Sequence, residues 1–264
     1  MNKKELNKQE LMSEIDCIPK FVLRDAAQKD KRTDMWIEDD RHSGVTEETN
    51  FINLAYVSKR YKLLQFESVF KPLLQNIEEL EGSIMYDGGV GAMIMFPDDE
   101  RLIVNGGDKI GLVAWNSVDK TSSVIINFCV KHDDRDITIP KSVAGFKRMH
   151  VGKAVEITEN FLKVVDKIRD VWKAILKEFE KIKVTETYVI SLMDELKIKE
   201  KSLRKKVLKD VQSTESMSLW DVFMKMLAII EEKGYKSEVH RRKRLDKISS
   251  AMFNWAVAGR LIRI

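Results

Sequence analysis

The sequence predicts an α+β protein: an antiparallel β-meander of four or five strands packed on a long helix, with a helical C-terminal region. Two observations predict this class. Residues 82–111 hold seven of the twelve glycines, and short apolar runs lie between and after them. From about residue 147 the apolar residues instead recur at steps of three and four, as on one face of a helix. The sheet is therefore expected over about residues 82–131 and the helical region over about residues 147–264.

The predicted strands are short apolar runs separated by turn-forming residues. They are Ser83–Tyr86, Ala92–Phe96, Leu102–Val104, Ile110–Trp115 and Val124–Val130. Glycine, asparagine and aspartate in the connections are typical of hairpin turns. The run Asp87-Gly-Gly-Val-Gly91 invites comparison with a phosphate-binding loop, but no Gly-Lys-Ser/Thr follows and the next residues have strand character. A hairpin turn is the favoured interpretation there and at Asn105-Gly-Gly-Asp108.

The helical region begins with an apolar seam that alternates steps of four and three. Its members are Phe161, Val165, Ile168, Trp172, Ile175, Phe179 and Ile182. The seam predicts a helix from about Val151 to Lys183, on the order of 50 Å long at 1.5 Å per residue. Shorter helices are predicted over residues 185–196, 200–211, 219–233 and 236–262. Ser218 and Asp221 should cap the third of these.

The first 80 residues are less regular. They predict a short polar helix over residues 1–18, a strand over 56–65 and an amphipathic helix over 66–80. Residues 26–50 are charged and poor in apolar side chains, so we expect a loop or mobile arm there, with Met35-Trp36-Ile37 as a candidate anchor. The predicted organisation is an N-terminal helix and charged arm over residues 1–50 and a single α+β domain over residues 51–264.

The composition is typical of a globular protein that stays inside the cell. Hydrophobic residues make up 44% of the chain, and solvated helix faces rich in lysine and glutamate account for the 33% of charged residues. Cys17 and Cys129 lie far apart, which indicates neither a disulfide framework nor a metal cluster, and Cys129 is expected to be buried in a strand. The first residues lack the apolar core of a signal peptide, and no apolar run approaches the roughly 20 residues of a membrane span. We expect a cytoplasmic location.

The net charge of +4 hides an asymmetry along the chain. Residues 1–146 carry 19 basic and 25 acidic side chains, whereas residues 147–264 carry 27 basic and 17 acidic ones. A basic half suits an anionic partner, and it equally suits lysine-rich helices that only keep a protein in solution. A nucleic-acid interface requires the cations to cluster as well.

Three clusters of cations are the candidate nucleic-acid contacts. The first is Lys147, Arg148 and His150, just before the long helix; the second is Arg204, Lys205 and Lys206; the third is Arg241, Arg242, Lys243, Arg244 and Lys247. Helix amides and cations at the first cluster would point at the same phosphate, although a surface turn is an equal alternative. On a helix, Arg241, Arg244 and Lys247 share one side and could follow a phosphate backbone. Solubility, or pairing with acids elsewhere in the chain, is the alternative for the last two clusters.

A metal-dependent nuclease site is the main catalytic hypothesis. His132 to Asp136 offers an imidazole and carboxylates, which can hold a divalent ion that activates water. Consecutive residues of a strand face opposite ways, however, so a solvated connection is the favoured interpretation. Trp220, Phe223, Trp115 and Phe128 could stack on bases, but aromatics beside apolar neighbours more often indicate core. No nucleophile motif appears, and no catalytic residue, metal or cofactor is predicted.

Several segments together carry a resemblance to a known family. They are Tyr61-Lys62-Leu63-Leu64-Gln65 with Phe70, Asn116–Ser122, Cys129 at a strand end, His150 before the long helix, and Ser218–Phe223. Over about residues 56–260 they resemble the phage/plasmid-like family called domain of unknown function 932. The sequence departs from that pattern at Lys120, Ile126 and Met224, where the family has glycine, arginine and asparagine. The resemblance implies a phage or plasmid setting, and a meander followed by a long helix is similar in shape to single-strand annealing proteins.

These observations lead to one functional hypothesis and two alternatives. The hypothesis is an oligomeric phage or mobile-element protein that binds single-stranded DNA in a basic groove and assists recombination or replication by annealing, without chemistry. The first alternative is an interaction factor that counters a host defence or replication component and exposes an apolar patch. The second is the metal-dependent nuclease that uses the His132–Asp136 segment.

Overall fold

The computed structural model describes residues 5–29, 36–49, 53–58, 63–75, 77–104, 106–118, 124–140, 154–214 and 216–259. Over these residues the chain is α+β, with antiparallel sheets and a helical C-terminal region, which confirms the predicted class. None of the described helices combines the length and apolarity needed to cross a membrane.

The strands fall into three antiparallel sheets. They are β1 (Leu6–Asn7), β2 (Phe21–Lys29), β3 (Trp36–Glu47), β4 (Asn53–Ser58), β5 (Leu80–Asp87), β6 (Val90–Pro97), β7 (Ile103–Val104), β8 (Asp108–Ser117), β9 (Ile125–His132), β10 (Arg135–Ile139), β11 (Lys183–Val184) and β12 (Met217–Ser218). The largest sheet has the order β1-β5-β6-β8-β9-β10, with β7 paired to β8; β2-β3-β4 form the second sheet and β11-β12 the third.

Seven α-helices lie in the described residues. They are α1 (Lys8–Cys17), α2 (Phe66–Leu74), α3 (Ala154–Lys181), α4 (Glu186–Glu195), α5 (Lys201–Ser213), α6 (Leu219–Glu232) and α7 (Glu238–Ala258), and a short 3-10 helix covers Glu100–Leu102. Ser218 accepts a hydrogen bond from the Asp221 N–H while the Asp221 side chain accepts from the Ser218 N–H, which confirms the predicted cap of α6. Helix α2 starts where predicted but ends at Leu74, because Leu80 already belongs to β5.

Two tight hairpins shape the large sheet. Gly88 (φ 52°) and Gly89 (φ 89°) form the two-residue turn between β5 and β6, which confirms the hairpin predicted there. Asp133 (φ 45°) and Asp134 (φ 61°) form a second two-residue turn between β9 and β10. Aspartate tolerates this left-handed backbone better than most residues. The predicted solvated connection is therefore this turn, and β10 follows it as a strand that the sequence analysis did not identify.

Residues 26–50 differ from the prediction. A loop or arm was expected, but β2 and β3 occupy most of the segment and pair antiparallel along their length, with β4 added at the other edge of β3. Strands pair through backbone N–H and C=O groups. A charged segment can therefore form a sheet even when its side chains lack the apolar alternation that would predict one. Met35 lies outside the described residues, as do the side chains of Trp36 and Ile37.

The chain divides into two compact units. Unit 1 contains Met1–Asp98, Val113–Ile126 and Met149–Glu159, and unit 2 contains Asp99–Leu112, Asn127–Arg148 and Asn160–Ile264. The predicted domain boundary at residue 50 stays a prediction.

Aromatic rings form the core of unit 1. Phe66 of α2 packs edge-on against Phe21 and Tyr86, with ring centroids 6.1 Å and 5.4 Å apart. Gly91 is required beside this cluster, since a Cβ there would lie 2.7 Å from Phe66 Cε1. The Gln65 side chain accepts from the Phe21 N–H and donates to the Phe21 carbonyl, at 3.1 Å and 2.6 Å. Helix α2 is thereby fixed at its first turn to strand β2.

The apolar seam of α3 forms the core of unit 2. Val165, Ile168, Trp172, Ile175 and Phe179 are all at most 3% exposed, which confirms the predicted seam over these positions. The side chain of Phe161 lies outside the described residues. Cys129 is 0% exposed on β9, as predicted, whereas Cys17 is exposed. The seam therefore has the buried face that a long amphipathic helix needs for stability.

Candidate nucleic-acid interface

Helices α4 and α5 are joined by a connection whose conformation is fixed by backbone hydrogen bonds. Lys197 has a left-handed φ of 54°, and its N–H donates to the Asp194 carbonyl at 3.0 Å. The N–H of Ile198 donates to the Met193 carbonyl at 2.9 Å. These two bonds make a Schellman motif, which places glycine most often where Lys197 stands. Ile198 and Met193 are 2% and 0% exposed, as the apolar contact of that motif requires.

Arg204 ties α5 back to this connection. Its Nη1 donates to Asp194 Oδ1 at 2.5 Å and to the Ile198 carbonyl at 3.4 Å. At the start of α5, Glu200 accepts from Lys233 and, at 3.1 Å, from Nη2 of Arg244. Arg204, predicted as a phosphate contact, therefore already has a carboxylate partner. The pair α4 and α5 is held together by side chains as well as by the turn.

Helix α5 has a buried face and a cationic face. Leu203, Val207 and Val211 point inward and are at most 8% exposed. Lys201, Lys205 and Lys209 each stand two residues before one of these, about 200° around the helix at about 100° per residue. All three are exposed, and so is Lys206. We call Lys201, Lys205, Lys206 and Lys209 the lysine stripe.

The acids near the lysine stripe are paired with cations outside it. Asp194 pairs with Arg204, Asp210 with Lys225 at 2.9 Å, and Glu200 with Lys233 and Arg244. Partial burial raises the pKa of Glu200, but the hydrogen bond and charge of Lys233, together with the charge of Arg244, outweigh burial and leave it below its ordinary value. Within the described part of the chain, the side chains of these four lysines have no hydrogen bond or ion pair. Their charge is therefore available to a partner.

Arg242 of α7 is internal. Its side chain is 5% exposed, and it donates through Nη1 to the Asp136 carbonyl at 2.9 Å and through Nη2 to Thr138 Oγ1 at 2.5 Å. Its Nε lies 2.7 Å from Asp246 Oδ1, and Thr138 Oγ1 donates to that same oxygen at 2.6 Å. Burial alone lowers the pKa of Arg242, and the charges of Asp246 and Asp136 outweigh it, so the pKa is raised. This guanidinium joins α7 to β10 and does not face a ligand.

Most of the remaining cations of α7 already interact with other residues of the protein. Arg241 pairs with Glu238 one turn earlier, Arg244 pairs with Glu200, and Lys243 also has an interaction partner. Lys247 is exposed. The three cations predicted to share one side of this helix therefore include two that are neutralised by neighbouring carboxylates. Lys147, Arg148 and His150 lie outside the described residues.

The side chains of the His132–Asp136 segment lie in different surroundings and do not converge on one point. His132 Nδ1 lies 2.8 Å from Asp108 Oδ1, and its ring stands edge-on to Trp172 and Trp220. Asp133 and Asp134 are exposed in the hairpin turn, while Asp136 faces Arg242. In the described ranges no group of three or more histidine, cysteine, aspartate or glutamate side chains could hold a metal ion. The nuclease alternative stays a prediction without an assembled site among these residues.

The aromatic side chains considered for base stacking are core residues. Trp220, Phe223, Trp115 and Phe128 are at most 8% exposed. Trp220 packs edge-on against Trp172 at 5.7 Å between ring centroids. The interpretation of these aromatics as core is confirmed, so they offer no stacking platform on the surface.

No protein-family model, curated protein or solved structure matches this chain. The resemblance to domain of unknown function 932 stays a prediction. The structure does bring together two of the residues that carry it, since Asn116 Nδ2 donates to the carbonyl of Leu64, next to Gln65, at 3.0 Å. Lys201 and Lys209 were not among the predicted phosphate contacts. Their spacing of four residues from Lys205, opposite Leu203, Val207 and Val211, was the signal that could have found them.

Proposed function

We propose that this protein binds DNA without chemistry, through phosphate contacts made by the lysine stripe of α5. The observation that carries the proposal is the arrangement of Lys201, Lys205, Lys206 and Lys209 on one exposed helix face, with the nearby carboxylates already paired. Phosphate contacts of this kind supply most of the affinity of sequence-independent DNA binding.

The dimensions of the stripe suit a phosphate backbone. Lys201 and Lys209 are separated by about 12 Å along the helix axis at 1.5 Å per residue. One DNA strand presents a phosphate about every 3.4 Å along the duplex axis. The lysine side chains are long and rotatable, so four of them can each reach a different phosphate. Each contact releases a condensed counterion, which makes the affinity fall with salt.

The setting of this activity follows from the resemblance to a phage/plasmid-like family. A DNA-binding protein of a mobile element would assist recombination or replication. The preference for single strands and the annealing role remain predictions. Base stacking by Trp220, Phe223, Trp115 and Phe128 does not support a preference for single strands, because these side chains are buried.

The test is a titration of fluorescently labelled DNA over a series of salt concentrations. We expect wild-type protein to give a slope of log K against log salt of about −3 to −4, from about 0.9 per neutralised phosphate. A variant with Lys201, Lys205, Lys206 and Lys209 all changed to Gln should have a slope near zero and at least about a hundredfold weaker binding at 0.1 M salt.

A second variant controls for net charge. Lys167, Lys173, Lys183 and Lys236 are also exposed and lie outside α5. Changing these four to Gln removes the same charge, and the slope should stay close to that of the wild type. Equal losses in both variants would show that only net charge matters, and no binding by wild-type protein in dilute buffer would refute the proposal. Cleavage of the labelled DNA in magnesium would favour the nuclease.

A further inference from the structure

We infer that α4, its connection and α5 form a helix-turn-helix unit, and that α5 enters the major groove of double-stranded DNA. This inference rests on the proposed function and specifies its ligand. In such units a first helix supports a second one, whose exposed face contacts base edges and phosphates.

The connection has the properties that a rigid helix-turn-helix needs. It has five residues between the end of α4 and the start of α5, close to the three or four that are typical of such turns. Its left-handed residue, Lys197, follows the end of α4 and immediately precedes the buried Ile198, which anchors the connection. Leu192 and Met193 on α4, and Leu203 and Val207 on α5, are at most 2% exposed. Both helices therefore have an apolar face buried in unit 2.

Side-chain bonds further immobilise α5. Arg204 reaches Asp194 at the end of α4 and the Ile198 carbonyl in the turn. Glu200, the residue before α5, is held by Lys233 after α6 and by Arg244 of α7. All five charged residues of this network thus help to position α5, and the lysine stripe is left facing outward. A helix held in this way loses little conformational entropy on binding.

The exposed face of α5 fits the groove in size and chemistry. Its 13 residues extend about 20 Å, and a helix with side chains is about 10–12 Å across, close to the roughly 12 Å width of the major groove. The exposed residues of this face are Lys201, Ser202, Lys205, Lys206, Lys209, Gln212 and Ser213. Lysine can contact guanine and glutamine can pair with adenine, so the face carries groups for base edges as well as for phosphates.

Duplex DNA fits this face better than a single strand. Affinity for single strands usually depends on aromatic side chains that stack on unpaired bases. Helix α5 contains no aromatic residue, and Trp220 at the start of α6 is 8% exposed. A convex helix with lysines on its surface is instead the shape that the major groove accepts.

The experiment compares 20-nucleotide single strands with the corresponding duplex, using wild-type protein at 0.1 M salt. We expect the duplex to bind about tenfold more tightly or better. Methyl green, which occupies the major groove, should displace the protein, while netropsin, which occupies the minor groove, should leave the complex intact. Changing Lys205 and Lys206 to Gln should weaken duplex binding by about tenfold, and the matched exposed pair Lys183→Gln and Lys236→Gln by less than about twofold.

The outcomes separate the inference from the proposed function. Equal or tighter binding to single strands, or displacement by netropsin and not by methyl green, would overturn the helix-turn-helix inference while DNA binding through α5 would stand. Absence of binding to either form would overturn both. The four substituted lysines are exposed, so the variants should fold, and their far-ultraviolet circular dichroism should match that of the wild type.

Discussion

Helices α5 and α7 each carry a run of cations, and the structure uses the two runs in opposite ways. In α7 the cations are consecutive, from Arg241 to Arg244. Two of them form ion pairs within the protein, since Arg242 is buried and paired and Arg244 is paired with Glu200. In α5 the cations are spaced along the helix, and the lysine stripe is exposed. The number of adjacent positive residues is therefore a poor guide to the charge that a surface presents.

The position of each residue relative to the helix period explains the difference. On α7, Val239, Arg242, Leu245 and Ile248 follow one another at steps of three and are all buried, so Arg242 falls within the apolar stripe. On α5 the buried positions are Leu203, Val207 and Val211, and the lysines fall between them on the opposite side. Arginine suits the buried position because its planar group can donate to several acceptors at once.

The largest expected effect concerns the internal arginine. Changing Arg242 to Met keeps most of the volume but removes the guanidinium that pairs with the carboxylates of Asp136 and Asp246. Removing one partner of a buried ion pair typically costs about 3–5 kcal/mol. We expect a loss of that order in the free energy of unfolding, measured by urea denaturation. Lys247→Met, on the same helix but exposed, should change it by less than about 0.5 kcal/mol. A similar stability for the two variants would contradict the assignment of Arg242 as internal.

The second prediction compares DNA affinity directly. Lys205→Gln with Lys209→Gln should weaken binding by about tenfold at 0.1 M salt, since two phosphate contacts are lost and each contributes a slope of about 0.9. Arg241→Gln with Lys247→Gln removes the same charge from α7 and should have an effect of less than about threefold, because Arg241 is already paired with Glu238. Fluorescence anisotropy with the same labelled DNA measures both. A larger loss from the α7 pair would show that α7, and not α5, carries the main phosphate contacts.

Most of the fold could be predicted from the sequence where one face of an element is apolar. The seam of α3 could be predicted because a helix with one buried face has apolar residues at steps of three and four. The cap of α6 could be predicted because capping requires particular side chains. Strands β2 and β3 could not be read, since a small sheet held by backbone hydrogen bonds imposes no apolar alternation on charged residues. Strand β10 was overlooked because its first two residues, Arg135 and Asp136, are charged.

The candidate site was only partly predictable. Lys205 and Lys206, predicted as phosphate contacts, are exposed, whereas the role of Arg242 depends on Thr138 and Asp136. These partners are more than 100 positions away in the sequence. A charge that neutralises a distant carboxylate has the same local sequence context as one that faces solvent. The apolar neighbours at steps of three around Arg242 were the signal available, and they indicate burial but do not name the partner.

The third prediction concerns Glu200, which precedes α5 and connects it to α7 through an ion pair with Arg244. Its pKa is lowered in the folded protein, so its contribution to stability is present above the ordinary glutamate pKa and is lost as the pH falls through the lower, folded-state value. Glu200→Gln should reduce the free energy of unfolding by about 1 kcal/mol at pH 7. The difference between the two proteins should disappear once the pH lies below the folded-state pKa of Glu200, as measured by urea denaturation over a pH series. A difference that grows on acidification would contradict the ion pairs with Lys233 and Arg244.

The smallest expected effect concerns the turn itself. Lys197 adopts a left-handed backbone in which a Cβ costs about 1–2 kcal/mol, and glycine avoids that cost but loses about 0.5–1 kcal/mol through the greater freedom of the unfolded chain. Lys197→Gly should therefore raise the free energy of unfolding by about 0.5 kcal/mol. Lys199→Gly, in the same connection but without a left-handed backbone, should lower it instead. Because Lys197 lies outside the lysine stripe, DNA affinity should change by less than about threefold. A large loss of DNA affinity with unchanged stability would place Lys197 among the DNA contacts and extend the interface from α5 into the turn. An unchanged DNA affinity would confine the interface to α5.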